Sequence, residues 1–213
     1  MNRIKFLIAA CAIFAASLSV TRAQDVVFKH NFGGSGTDSY VSVTAVSDGI
    51  VAVGTSTSHS FNSGDWEGVT GHGNYDAIIV KYDNAGSVVW KKHFGGKGND
   101  RYFSVTTVSD GIVAVGYSDP TSFNNGDWAG VTGKGGVDAI IVKYDNAGNI
   151  VWRKNFGGMG YDYFSSVTAV SDGFIAVGDT DLSSYDSGDW AGVIGNGVDD
   201  AVIVKFDNAS NIV

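Results

Sequence analysis

Apolar residues along this chain fall in short runs divided by Gly, Asp, Asn and Ser, and the runs are strand-sized. "YVSVTAV" (Tyr40–Val46) predicts a first strand. "SDG" follows it, and an Asp-Gly pair between apolar runs predicts a tight hairpin turn into a second strand, "IVAVGT" (Ile50–Thr55). A loop of about twenty residues comes next, with "SFNSGDWEGVTGHG" at its heart. "DAIIVKY" (Asp76–Tyr82) predicts a third strand, "DNAG" a turn, and "VVWKKH" (Val88–His93) a fourth strand. The second and third strands do not alternate cleanly, so both of their faces are expected to be buried. A lone antiparallel sheet leaves one face wet. Sheets stacked face to face bury both.

This four-strand pattern recurs. Trp66, Trp128 and Trp190 are 62 residues apart, as are Phe32, Phe94 and Phe156. Residues 29–90 and 91–152 match at 44 of 62 positions without a gap, and a more diverged third copy covers 153–213. The expectation is an all-β array of three four-stranded antiparallel units, with no linker between them.

"FGGKGND", "SVTTVSDGIVAVG" and "DAIIVKYDNAGNIVW" together resemble the bacterial β-propeller repeat of secreted and surface proteins, the type that builds seven-bladed propellers. The resemblance covers essentially all of residues 26–213. It implies a propeller-type array of blades and a scaffold without a common chemistry. One departure is the longer loop between the second and third strands, which carries Trp66, Trp128 and Trp190 where the family has a smaller apolar residue. "KYDNAGNIVW" is also similar to the tryptophan-docking repeat of quinoprotein propellers, which we read as shared blade mechanics. A three-fold β-trefoil or β-prism is the alternative architecture.

Composition narrows the setting. Arg3 and Lys5, the apolar stretch "FLIAACAIFAASLSV" and a small residue at Ala23 predict a secretory signal peptide over residues 1–23. "IAAC" ending at Cys11 is a lipobox-like rival, but the apolar run continues past it. The expected location is therefore extracellular, cell-surface or periplasmic. Cleavage removes the single cysteine, so no disulfide holds the exported chain. The net charge is −8, and the leader carries three basic residues and no acid, so the remainder is more acidic still. That balance argues against nucleic acid or an anionic membrane as partner, and no other segment predicts membrane insertion. Glu67 is the only glutamate among 22 acids; aspartate favours turns over helix interiors.

"GGSGTD" (33–38), "GGKGND" (95–100) and "GGMGYD" (157–162) fit a calcium-roll motif. Such a roll needs its copies in tandem, and here two hairpins separate them, so a glycine connector between blades is the expectation. No enzyme signature is present: there is no H-E-x-x-H, G-x-S-x-G or P-loop. The histidines, His30, His59, His72 and His93, fall at four different repeat positions and predict no metal constellation. Asp48, Asp76 and Asp83 recur beside turns and read as caps. No cofactor is expected.

The candidate ligand-binding residues lie in the long loops: Trp66, Trp128 and Trp190, each preceded by an aspartate, Asp65, Asp127 and Asp189. A tryptophan face stacks on a sugar ring and a carboxylate accepts hydroxyl hydrogen bonds, so a glycan or a protein is the ligand class, and repetition adds avidity. The competing expectation is that each tryptophan packs into its own or the adjacent blade. Trp90 and Trp152 lie within predicted strands and read as core. The function expected is that of an exported, non-enzymatic binding scaffold, with a purely structural spacer in a larger surface or secreted protein as the alternative.

Three units are too few for an ordinary ring, since propellers have about four to eight blades. "VVFKHNFGG" at the N-terminus aligns with "IVWRKNFGG", and "NIV" begins the same strand at the other end. Three closures follow: a piece of a longer propeller, two chains pairing into six blades, or self-closure as a trefoil or prism. In the open forms, apolar blade faces at the ends would drive self-association.

Overall fold

The computed structural model describes residues 28–213, so the expected signal peptide lies outside the described residues. The chain forms three antiparallel sheets in sequence order. The first contains β1 (Asp38–Val46), β2 (Gly49–Thr57), β3 (Tyr75–Asp83) and β4 (Val88–Phe94). The second contains β5 (Asp100–Val108), β6 (Gly111–Ser118), β7 (Asp138–Tyr144) and β8 (Ile150–Phe156). The third contains β9 (Asp162–Val170), β10 (Gly173–Asp181) and β11 (Asp199–Asp207), and Ile212 makes one further bridge to Phe206. The only helices among the described residues are single 3₁₀ turns, none of which is long and apolar enough to cross a membrane.

In the first blade the strands are those the apolar pattern predicts, each longer by one to three residues; the third unit has three strands where four were expected. The "SDG" turns close β1 on β2 with Val46 opposite Gly49. Asp83 caps the β3–β4 turn by accepting from Ala85 N (2.9 Å) and Ser87 N (2.8 Å). Each sheet begins just after a "GG" connector, so the sheets are offset by a few residues from the 62-residue units.

The sheets stack face to face. Val51, Val53, Ala77 and Ile79 of the first meet Val105, Ile112, Ala114 and Val142 of the second. Val113, Val115 and Ile141, on the other face of the second, meet Phe164, Val167, Ala176 and Val204 of the third. The middle sheet is therefore buried on both sides, as its non-alternating strands require. The first strands of successive sheets lie side by side, and Val167 N donates to Ser104 Oγ across the second joint (3.1 Å). This is a propeller-like arc of blades. Strand pairing stays within each sheet apart from an isolated Tyr75–Asn99 bridge, and no closed barrel forms among the described residues.

Among the described residues the arc is open at both ends. Val105 at the first joint is 6% exposed, whereas its repeat equivalent Val43 on the outer face of the first blade is 60% exposed. Ile141 is 0% exposed at the second joint, and its equivalent Ile203 on the third blade is 71% exposed. The N-terminal segment partly covers the first blade. Residues 28–34 are not a strand; Phe28 lies against Gly86, and Phe32 packs edge-on to Trp66 at 5.1 Å.

Candidate functional site

The "GGxGxD" connectors and "GDW" loops form one interlocked unit in each blade. Asp65, Asp127 and Asp189 accept from the first connector glycine (Gly33, Gly95 and Gly157) at 2.9, 3.1 and 3.0 Å. Their own N–H groups donate back to the carbonyl of the same glycine, each at 2.9 Å. The glycine before each of these aspartates is left-handed, with φ of 55°, 50° and 53°, and a Cβ there would fall on that carbonyl. The second connector glycine is pressed against the chain just as closely. A Cβ on Gly96 would sit 1.9 Å from the Ser122 carbonyl oxygen.

The last aspartate of each connector points inward. Asp100 accepts from Ser118 Oγ, Ser122 Oγ (2.7 Å), Gly96 N (2.9 Å) and Trp128 Nε1 (3.1 Å). Asp162 takes the same set from Thr180, Ser184 (2.7 Å), Gly158 (2.9 Å) and Trp190 (2.8 Å). Asp38 accepts from Ser56, Ser60 and Gly34, while Trp66 Nε1 donates to Ser56 Oγ (3.1 Å). These carboxylates face protein donors, whereas calcium needs oxygens turned to the ion. The connector is a hydrogen-bonded knot. Burial pushes the Asp100 carboxyl up to about 6, against the lowering effect of its four donors.

Trp66 and Trp128 are fully buried, so neither offers a face to a sugar ring. Their indoles tie the loop to the connector and pack on Phe61 and Phe123, at centroid separations of 5.1 and 5.0 Å. This corrects the expected line of stacking platforms. Trp190 is partly exposed for a local reason. Trp66 lies against His93 and Lys91 of β4, and the Trp128 loop is held by Arg153 of β8, but no fourth strand covers Trp190 among the described residues. Trp90 and Trp152 are half-buried at the joints; Trp90 Nε1 donates to Asn146 O of the next blade (3.1 Å).

The loop aspartates also bridge blades. Lys134 Nζ of the second blade lies 2.7 Å from Asp189 Oδ2 of the third. At the same position in the first blade stands His72, whose Nδ1 lies 3.4 Å from Asp127 Oδ2 of the second. His72 is not isolated. Its ring centroid is 4.6 Å from that of His93, and His93 Nδ1 lies 2.8 Å from buried Asp76. His72, Asp76 and His93 each place a ligand atom within 4.8 Å of the others. The expectation of scattered histidines is therefore corrected: different repeat positions converge because the loop carrying His72 folds over β4. The sequence signal was Asp76, which recurs where the long loop enters β3. Of the other recurring aspartates, Asp83 caps its turn, and Asp48 pairs with Lys81 Nζ at 2.8 Å.

No family model matches the chain. It is similar to the regulatory protein FlaEY of Caulobacter vibrioides, at 27% identity over 161 residues. That match covers 65% of this chain and 16% of FlaEY, so the chain spans about a sixth of the relative's length.

Proposed function

We propose that this chain is an exported, non-enzymatic repeat scaffold that works by docking blade on blade, as a module of a larger surface or secreted assembly. The observation that carries this reading is the contrast between equivalent positions. Val43 and Ile203 stand in water where Val105 and Ile141 are sealed by a neighbouring blade. Beside Val43, a groove of about 360 Å³ is lined by Phe28, Tyr40, Val41, Ile50 and Tyr82. Apolar faces of this kind are completed by a surface of matching pitch, and further blades of the same repeat have that pitch. The recurring polar residues are engaged in knots within the blades, which favours a structural role over glycan capture by the tryptophans. The similarity to a small stretch of the much longer FlaEY agrees with use as a module. Light scattering after size exclusion tests this on the purified chain. Concentration-dependent association that falls in Ile203→Asp supports it; a monomer at every concentration sinks it. Detection of the protein in the cytosolic fraction alone would sink the export half.

A further inference from the structure

Two histidines of the first blade, His72 and His93, have no counterparts in the second, and the difference is coordinated. Unit two carries Lys134 where unit one has His72, and β8 carries Asn155 where β4 has His93. Between blades that otherwise share most of their sequence, both changes fall around one carboxylate. In the second blade, Asn155 Nδ2 donates to Asp138 (2.6 Å), and the Lys134 ammonium faces Asp189. There the acids meet an amide donor and a fixed cation. In the first blade the same two positions present imidazole nitrogens instead.

We propose that His72, Asp76 and His93, with Asp127 as a fourth ligand, form a site for a first-row divalent transition-metal ion of the zinc type at the joint of the first two blades. Two imidazoles with one or two carboxylates are the donor set such ions select, unlike the all-oxygen sets of calcium and magnesium. The carboxylates of Asp76 and Asp127 balance the charge of a dication. Asp76 is held in place by two backbone donors, His72 N (2.8 Å) and Gly73 N (3.0 Å), and this is the orientation that metal sites require of their ligands. His93 sits on a strand, with its ring against Phe61 at 5.1 Å and Trp66 at 6.4 Å. Ligand atoms of a tetrahedral zinc site stand about 3.3 Å apart, so His72, Asp76 and His93, within 4.8 Å of one another, need only small side-chain rotations to close, and Asp127 Oδ2 stands 3.4 Å from His72 Nδ1. Access exists as well. A cavity of about 250 Å³ at this joint opens onto His93 and Asp127, and its counterpart of about 500 Å³ at the next joint is lined by Asn155, Asp189 and Lys134. The pocket recurs, and its chemistry differs.

The test is titration of the untagged chain with Zn²⁺ alone by calorimetry, and with Co²⁺ by visible absorption. One equivalent per chain is expected, with cobalt bands of a nitrogen–oxygen site and a zinc-dependent rise in the melting temperature. The affinity should fall as pH drops, because the imidazoles must be deprotonated to bind the ion. His72→Lys with His93→Asn gives the first blade the residues the second already uses, so the fold should be kept and the equivalent lost. Each single variant should weaken binding and replaces the double if that fails to fold. No bound equivalent at metal excess overturns the proposal. So does an undiminished equivalent in the variants, since the ion would then sit elsewhere.

Discussion

Tyr102 and Tyr144 are buried with their hydroxyls 2.7 Å apart, and the equivalent Tyr40 and Tyr82 are 2.8 Å apart. In the third blade both positions are phenylalanine, Phe164 and Phe206, at 6.1 Å between ring centroids. Both hydroxyls are present or both are absent, as expected where a buried donor needs its acceptor. Tyr102→Phe alone should therefore cost about 1–3 kcal/mol by leaving the Tyr144 hydroxyl unpaired, and Tyr102→Phe with Tyr144→Phe should cost clearly less than the sum of the singles. Denaturant melts of the cycle check it. Asp100 makes a prediction of the opposite kind. Its folded titration, near 6, lies above the ordinary carboxylate value of 3.8, so the folded chain holds this proton more tightly than the unfolded chain. The stabilisation it supplies is complete below pH 3.8 and is lost as the pH rises through about 6, a change of about 3 kcal/mol. Asp100→Asn should be offset at every pH, because its amide meets donors, but should lack that slope. Matching slopes in wild type and variant between pH 4 and 7 would refute the assignment.

At the scale of elements, the long loop between the second and third strands is an anchor. Its tryptophan reaches back to the connector aspartate, directly in the second and third blades and through Ser56 in the first, and its aspartate clasps the connector glycine. Loop, connector and sheet are therefore fastened at one point in each blade. Trp66→Ala and Trp128→Ala should each cost about 3–5 kcal/mol, the range for emptying a large buried aromatic site. Trp190→Ala should cost less, because no fourth strand completes its burial. Thermal melts of the three variants give the order, and equal costs would contradict it. The strands were legible because Asp-Gly and Asp-Asn turn chemistry marks the hairpins. The continuous apolar character of the second and third strands signalled burial on both faces, which the middle sheet shows. The role of the tryptophans was not legible, since an aromatic beside an aspartate in a glycine-rich loop reads equally as a sugar platform or a core peg. Only the position of Ser118 and Asp100 beneath the Trp128 indole distinguishes the two.

For the whole molecule, the open arc makes equivalent residues unequal. Ile141→Asp should unfold the chain or cost several kcal/mol, since it places a charge in the sealed second joint. Ile203→Asp, at the same repeat position, should leave the melting temperature within a few degrees and reduce association. Scattering and melts on the pair separate a docking face from a merely exposed one. If Ile203→Asp destabilises as much as Ile141→Asp, the outer face of the third blade is not the free surface described here.

The sequence by itself determined the all-β class, the 62-residue period, the strands and their turns, and the connector role of the glycine pairs. Each of these rests on local chemistry repeated three times, and repetition makes a local signal hard to mistake. Three things awaited the tertiary structure: which tryptophans are covered, which blade faces lack a neighbour, and which histidines meet. Burial depends on what the rest of the chain lays over a residue. Phe32 and β4 lie on Trp66, whereas among the described residues nothing equivalent to β4 lies on Trp190. The meeting of His72 and His93 depends on a loop crossing a strand 21 residues further on, and their different places in the repeat, which had argued against a cluster, are what that crossing brings together.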